Sequence, residues 1–83
     1  MTRIVVMIEL PPMATPRKRS VMLDGHATSV SLEDAFWRAL AAEAQAQGVT
    51  RTALIGLIDH ARPPDVGLAT ALRLFVLDRA QKA

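Results

Sequence analysis

Residues 26–32, His-Ala-Thr-Ser-Val-Ser-Leu, alternate between two kinds of side chain and run without a spacer into a helix start. No other feature of the chain constrains its fold as tightly. A period of two puts Thr28, Val30 and Leu32 on one face and Ala27, Ser29 and Ser31 on the other. A strand cannot stand alone, because its edges carry unsatisfied N–H and C=O groups, and a two-stranded unit is marginal until helices pack on it. Just upstream lie Ser20-Val21-Met22-Leu23 and then Asp24-Gly25, a dipeptide suited to the positive φ angles of a tight hairpin turn. A two-residue turn there sets Met22 opposite Ala27, Ser20 opposite Ser29 and Lys18 opposite Ser31.

The chain after the strand reads as helix, helix, break, helix. Ser31 is placed to cap the first helix, with Asp34 in the capping-box position and Glu33 beside it complementing the helix dipole. Phe36, Leu40 and Ala44 recur every four residues, with Trp37 and Ala41 alongside, and Gly48 supplies the stop. Thr50 is a natural cap for a second helix over 51–61, whose Leu54, Leu57, Ile58 and Ala61 fall at helical spacing. Pro63-Pro64 breaks the chain, and a third helix follows over about 68–80 with Leu68, Leu72, Phe75, Val76 and Arg79 on one face. Before the hairpin, residues 1–10 are β-branched and apolar. Pro11, Pro12 and Pro16 then forbid regular structure, so residues 11–19 read as an arm ending in Arg17-Lys18-Arg19. The organisation is therefore 1–18 as an N-terminal strand or arm and Pro-rich linker, 19–62 as a strand-and-two-helix core, and 63–83 as a C-terminal helix.

Size and charge narrow the possibilities. A chain of 83 residues without cysteine has neither disulfide nor thiolate-bound metal to supplement a small core. The usual remedy is a second copy. Two strands paired antiparallel across a twofold axis would turn Val30 and Leu32 toward four helices, with Phe36, Trp37, Leu40, Leu54 and Ile58 filling the shared core. Ala27, Ser29 and Ser31 would then face outward on a narrow ribbon, one of the few protein shapes that fits the DNA major groove. Lys and Arg total 10 against 8 Asp and Glu; the surplus of two lies within residues 1–31, concentrated at Arg17-Lys18-Arg19. No apolar run approaches the ~20 residues of a membrane span or the layout of a secretory signal. The absence of cysteine fits a reducing cytoplasm.

The stretch from Arg19 to Leu40, Arg-Ser-Val-Met-Leu-Asp-Gly-His-Ala-Thr-Ser-Val-Ser-Leu-Glu-Asp-Ala-Phe-Trp-Arg-Ala-Leu, resembles the ribbon-helix-helix DNA-binding family. It is most similar to a bacterial subfamily with a Thr-Ser-Val-x-Leu-Glu strand, a Phe-Trp pair in the first helix and a third helix after a break. The resemblance covers residues 19 to about 79. It implies a mostly α fold with a short β ribbon: an intertwined homodimer with an additional C-terminal helix, cytoplasmic and associated with the nucleoid. It also implies a small transcriptional regulator that inserts the dimeric ribbon into the major groove of double-stranded DNA, with base-facing positions Ala27, Ser29 and Ser31. The phosphate anchor it implies is the Thr50-Arg51-Thr52 turn, and a helix N-terminus favours an anion on physical grounds too.

Serine and alanine discriminate bases poorly, so affinity falls to phosphate contacts from Arg17, Lys18, Arg19 and Arg51. If two hairpins joined through these strands, the sheet would have four strands and be too broad for the groove. Either residues 17–23 peel away as an arm, or DNA is met in another way. An antitoxin-type or scaffold protein is the rival reading, with the third helix or the N-terminal strand binding a partner protein. No HExxH, nucleophile elbow or Gly-rich phosphate loop is present, Glu33 and Asp34 point apart on a helix, and neither catalysis, a metal nor a cofactor is expected.

Overall fold

The protein's structure, a computed structural model, describes residues 7–82. Most of the apolar N-terminal segment lies outside the described residues, and residues 7–16 carry no regular secondary structure. The elements are β1 (Arg17–Leu23), β2 (His26–Leu32), α1 (Asp34–Ala46), α2 (Arg51–Ala61) and α3 (Leu68–Lys82). Two antiparallel strands followed by three helices are thus the whole regular architecture of the described residues.

Asp24 and Gly25 adopt φ values of 51° and 77°. Positive φ at both central residues defines the turn whose twist matches that of the flanking strands. The register follows as the sequence predicts, with Met22 opposite Ala27, Ser20 opposite Ser29 and Lys18 opposite Ser31. Strand β1 begins earlier than its apolar residues alone suggest. Arg17, Lys18 and Arg19 pair with Leu32, Ser31 and Val30, so the basic triplet is strand and not arm. Pro16 then closes the strand's upstream end, since it has no N–H to donate.

This pairing also moves the start of α1. Because β2 stays paired through Leu32, Ser31 is held in the sheet and cannot cap the helix, contrary to the sequence-based expectation. Glu33 occupies the cap position without a side-chain cap bond. At the other end Gly48, at φ 73°, reverses the chain. Its N–H donates to the Gln45 carbonyl at 3.1 Å and that of Val49 to the Ala44 carbonyl at 3.0 Å, which helps to satisfy the acceptors of the last turn. Helix α2 opens as expected: the Thr50 hydroxyl accepts from the Ala53 N–H at 3.0 Å.

Every element contributes to one core. Val21 comes from β1, Val30 and Leu32 from β2, Leu40 and Ala44 from α1, Leu54 and Ile55 from α2, and Leu72 from α3. Leu68, Phe75 and Val76 pack partly buried against it. Residues expected to form a core shared between two copies are therefore packed within a single protomer. Val30, Leu32, Leu40 and Leu54 are buried there, and Phe36, Trp37 and Ile58 are half-buried at its margin. Helix α3 and strand β1 cover this core from within the protomer. Arg73 and Arg79 of α3 hold Glu33 and Glu43 at 2.9 and 3.1 Å, and Arg62 bridges the break by donating to the Val66 carbonyl at 2.7 Å.

Leu40 is fully buried where the sheet and helices meet. Leu40→Ala should therefore cost roughly 2–5 kcal/mol of stability, read from denaturant unfolding followed by Trp37 fluorescence. A loss within ~0.5 kcal/mol, the range of ordinary surface changes, would contradict this packing.

Candidate nucleic-acid interface

The hairpin presents two unlike faces. Inward stand Arg17, Arg19, Val21 and Leu23 of β1 with Thr28, Val30 and Leu32 of β2; outward stand Lys18, Ser20 and Met22 with Ala27, Ser29 and Ser31. All six outward residues are exposed, and none is acidic. The predicted base-facing trio Ala27, Ser29 and Ser31 thus shares one surface with three residues of β1. The two-residue turn already predicts Lys18 on this face, as a phosphate contact; Ser20 and Met22 carry no role expected from sequence.

The basic triplet is divided by the same alternation. Arg17 is exposed, with its guanidinium 3.9 Å from the Asp34 carboxylate. Lys18 points outward, free of any ion pair among the described residues. Arg19 turns inward, its side chain only 14% exposed. It is ion-paired to Asp34, donates to the Leu32 carbonyl at 3.3 Å and lies 5.3 Å from the centre of the Trp37 ring.

Arg51, at the first turn of α2, comes to the same indole. Its guanidinium sits 3.9 Å from the ring centre and donates to the Trp37 carbonyl at 3.1 Å. Such stacking holds a cation in place without neutralising it. Trp37 therefore joins the α2 start to the hairpin. Thr50 spends its hydroxyl on the cap, while Thr52 is exposed one residue past Arg51. The Phe36 ring has the Arg73 guanidinium 6.0 Å from its centre, so both aromatics serve packing and cation positioning.

Most acids are answered by the protein's own cations. Asp24 meets His60 at 3.0 Å, Asp59 meets Arg62 at 2.8 Å and Asp78 meets Lys82 at 3.0 Å, beside the Glu33, Asp34 and Glu43 pairs above. Among the described residues, Lys18, Arg38 and Arg51 are the lysine and arginine side chains without an ion pair. Sequence reading missed Arg38, because an arginine four residues after Asp34 looks like its helical partner. The hairpin instead delivers Arg19 to that carboxylate.

A groove of about 450 Å³ lies between Pro12, Met13 and Ala14 and the start of α1, where its lining includes Glu33, Asp34 and Arg38. Both of its carboxylates are committed to arginines, which leaves them poor acids or bases. Among the described residues no group of three His, Cys, Asp or Glu side chains is arranged to hold a metal ion. No helix there is long and apolar enough to cross a membrane.

A family model described as ribbon-helix-helix domain matches residues 16–80. The chain belongs to the ribbon-helix-helix domain family. The match begins one residue before β1 and ends inside α3, so it takes in the hairpin and all three helices. Ribbon-helix-helix proteins are typically DNA-binding transcription regulators or antitoxins, and the fold is a non-enzymatic one. Neither the curated proteins nor the solved structures yielded a significant match.

Asp34 is held below its ordinary value of 3.8, first by the Arg19 hydrogen bond and further by the charges of Arg19, Arg17 and Arg38, against the opposing effect of burial. Glu33 is held below 4.5 by a hydrogen bond from its own backbone N–H and then by Arg73. As pH falls the unfolded chain binds these protons first, so the stabilisation is complete above the ordinary values and is lost through the lower folded ones. Denaturant midpoints should stay level from about pH 7 to 5 and decline below about pH 4. Asp34→Asn should lower the plateau and flatten the decline; a variant with an unchanged pH profile would contradict the Arg19–Asp34 pairing.

Proposed function

We propose that this protein is a sequence-specific or semi-specific duplex-DNA-binding regulator that works as a homodimer and presents its ribbon to the major groove. The observation that carries this reading is the distribution of uncompensated positive charge. Apart from Arg38 on α1, the body pairs its arginines with its own acids, yet Lys18 on the exposed ribbon face and Arg51 at the α2 start are left without acidic partners. In this reading Ala27, Ser29 and Ser31 meet base edges. Arg17, Lys18, Arg51 and the Thr50–Thr52 turn meet phosphates, the last through backbone N–H groups and the helix dipole.

Arg19 takes a different part from the one its sequence position suggests. Committed to Asp34 and the Leu32 carbonyl, it fixes the hairpin on α1 and contributes to the field without reaching a phosphate. The homodimer is supported by Leu57, Leu74 and Leu77, which are 61%, 57% and 51% exposed on α2 and α3. Leu74 and Leu77 also favour a second reading, an antitoxin-type protein whose α3 binds a partner. The face expected for that role, Leu68, Leu72, Phe75 and Val76, is already engaged in the protomer's core.

A dimer engaging six to eight phosphates should show a log K against log salt slope of roughly −5 to −7, and a monomer about half that. Replacing Lys18 and Arg51 together by alanine should make the dimer's slope less negative by about 3 to 4. Fluorescence anisotropy on a short duplex across a salt series measures both. Binding that ignores salt, or a double variant with the parent slope, would overturn the reading.

A further inference from the structure

We infer that Trp37 is a positioning residue for DNA: it touches no phosphate and sets the affinity by holding the Arg51 guanidinium ready for one. The inference deepens the DNA-binding reading and rests on it. An arginine that waves in solvent loses its rotamers when it takes a phosphate. That ordering weakens binding about two- to tenfold for each long side chain immobilised. A protein lowers the cost by immobilising the arginine beforehand. It must do so without a carboxylate, which a phosphate would have to displace.

Both conditions hold at Arg51. Its guanidinium lies 3.9 Å from the centre of the Trp37 ring and donates through Nη1 to the Trp37 carbonyl at 3.1 Å. Among the described residues no carboxylate pairs with it. The side chain is half-buried, and its remaining N–H donors stay open to a phosphate. The second guanidinium at this indole shows the opposite state. Arg19, 5.3 Å from the ring centre, is tied to Asp34, and its buried Nε has no hydrogen-bond partner. That arginine is packed into the body and is not free to swing toward DNA. The neighbouring aromatic gives the same contrast, since Arg73 near Phe36 is paired with Glu33. Of the three arginines lying at aromatic rings, Arg51 is thus held by stacking and a carbonyl alone. Because Trp37 belongs to α1 and also meets Arg19 of β1, it fixes Arg51 relative to the hairpin.

Fluorescence anisotropy on a short duplex across a salt series, with the full chain, separates positioning from charge. Losing a phosphate contact changes the slope of log K against log salt, whereas losing only an arginine's support shifts the line without tilting it. Arg51→Ala should therefore make the slope less negative. Trp37→Leu should keep the parent slope and weaken binding about two- to tenfold for each Arg51 engaged. Trp37→Phe, which retains a weaker aromatic face, should recover part of that loss. In an Arg51→Ala background Trp37→Leu should cost nothing further. Trp37 is the chain's one tryptophan, so its emission should change on saturation with duplex in the parent and stay constant in Arg51→Ala. That readout needs no substitution at Trp37 and stands even if Trp37→Leu does not fold. Parent affinity in Trp37→Leu, an equal loss with and without Arg51, or an emission change that survives Arg51→Ala overturns the role while leaving DNA binding standing. Absence of any salt-dependent duplex binding overturns both together.

Discussion

The pairing of β1 with β2 is the constraint on which the remaining structure depends. It satisfies one edge of β2, holds Val30 and Leu32 over the helices and brings Val21 in beside them. It fixes the parity of every strand residue, and a slip of β2 by one position would bury Ser29 and Ser31 while exposing Val30 and Leu32. It also reaches beyond the sheet. By keeping Ser31 in the strand it delays α1 to Asp34, and by turning Arg19 inward it supplies that aspartate with its partner. Asp24 and Gly25 can take the two positive φ angles the turn demands, and His60 of α2 holds the turn from outside through Asp24.

Charge in this protein is organised by the same alternation. Within three consecutive residues one arginine is exposed, one lysine points away from the body and one arginine is sequestered beneath Trp37. Trp37 collects two guanidinium groups of different fate: Arg19 is answered by a carboxylate, while Arg51 is held by stacking and by a backbone carbonyl. A cation fixed without being neutralised remains available to a phosphate. That distinction, and not net charge, supports the proposed nucleic-acid reading, since the net charge is only +2.

Much of the fold was legible in the sequence because local rules and packing agree here. The Asp24-Gly25 turn, the strand register, the Thr50 cap and the Gly48 stop all depend on a few adjacent residues. What was not legible depended on distant partners. Residues 17–19 read as the end of an arm because the prolines before them forbid regular structure, yet their backbone pairing with 30–32 decides their state. Ser31 obeys the capping-box pattern, but the sheet claims it first. The apolar face of α3 looked surplus because nothing local shows that Leu72 belongs to the same core as Leu32 and Leu40. In the candidate interface the Ala27, Ser29 and Ser31 face followed from period two alone, whereas the idle state of Arg38 follows only once Arg19 is seen on Asp34.

The central claim is that duplex DNA meets the outward hairpin face and the start of α2. Titrating isotopically labelled protein with a short duplex at low salt, while following backbone amide resonances, tests it most directly. The account expects shifts at Lys18, Ser20, Met22, Ala27, Ser29, Ser31 and Thr50–Thr52, with α3 unmoved. Shifts centred on Leu74 and Leu77, or no shifts at all, would contradict it.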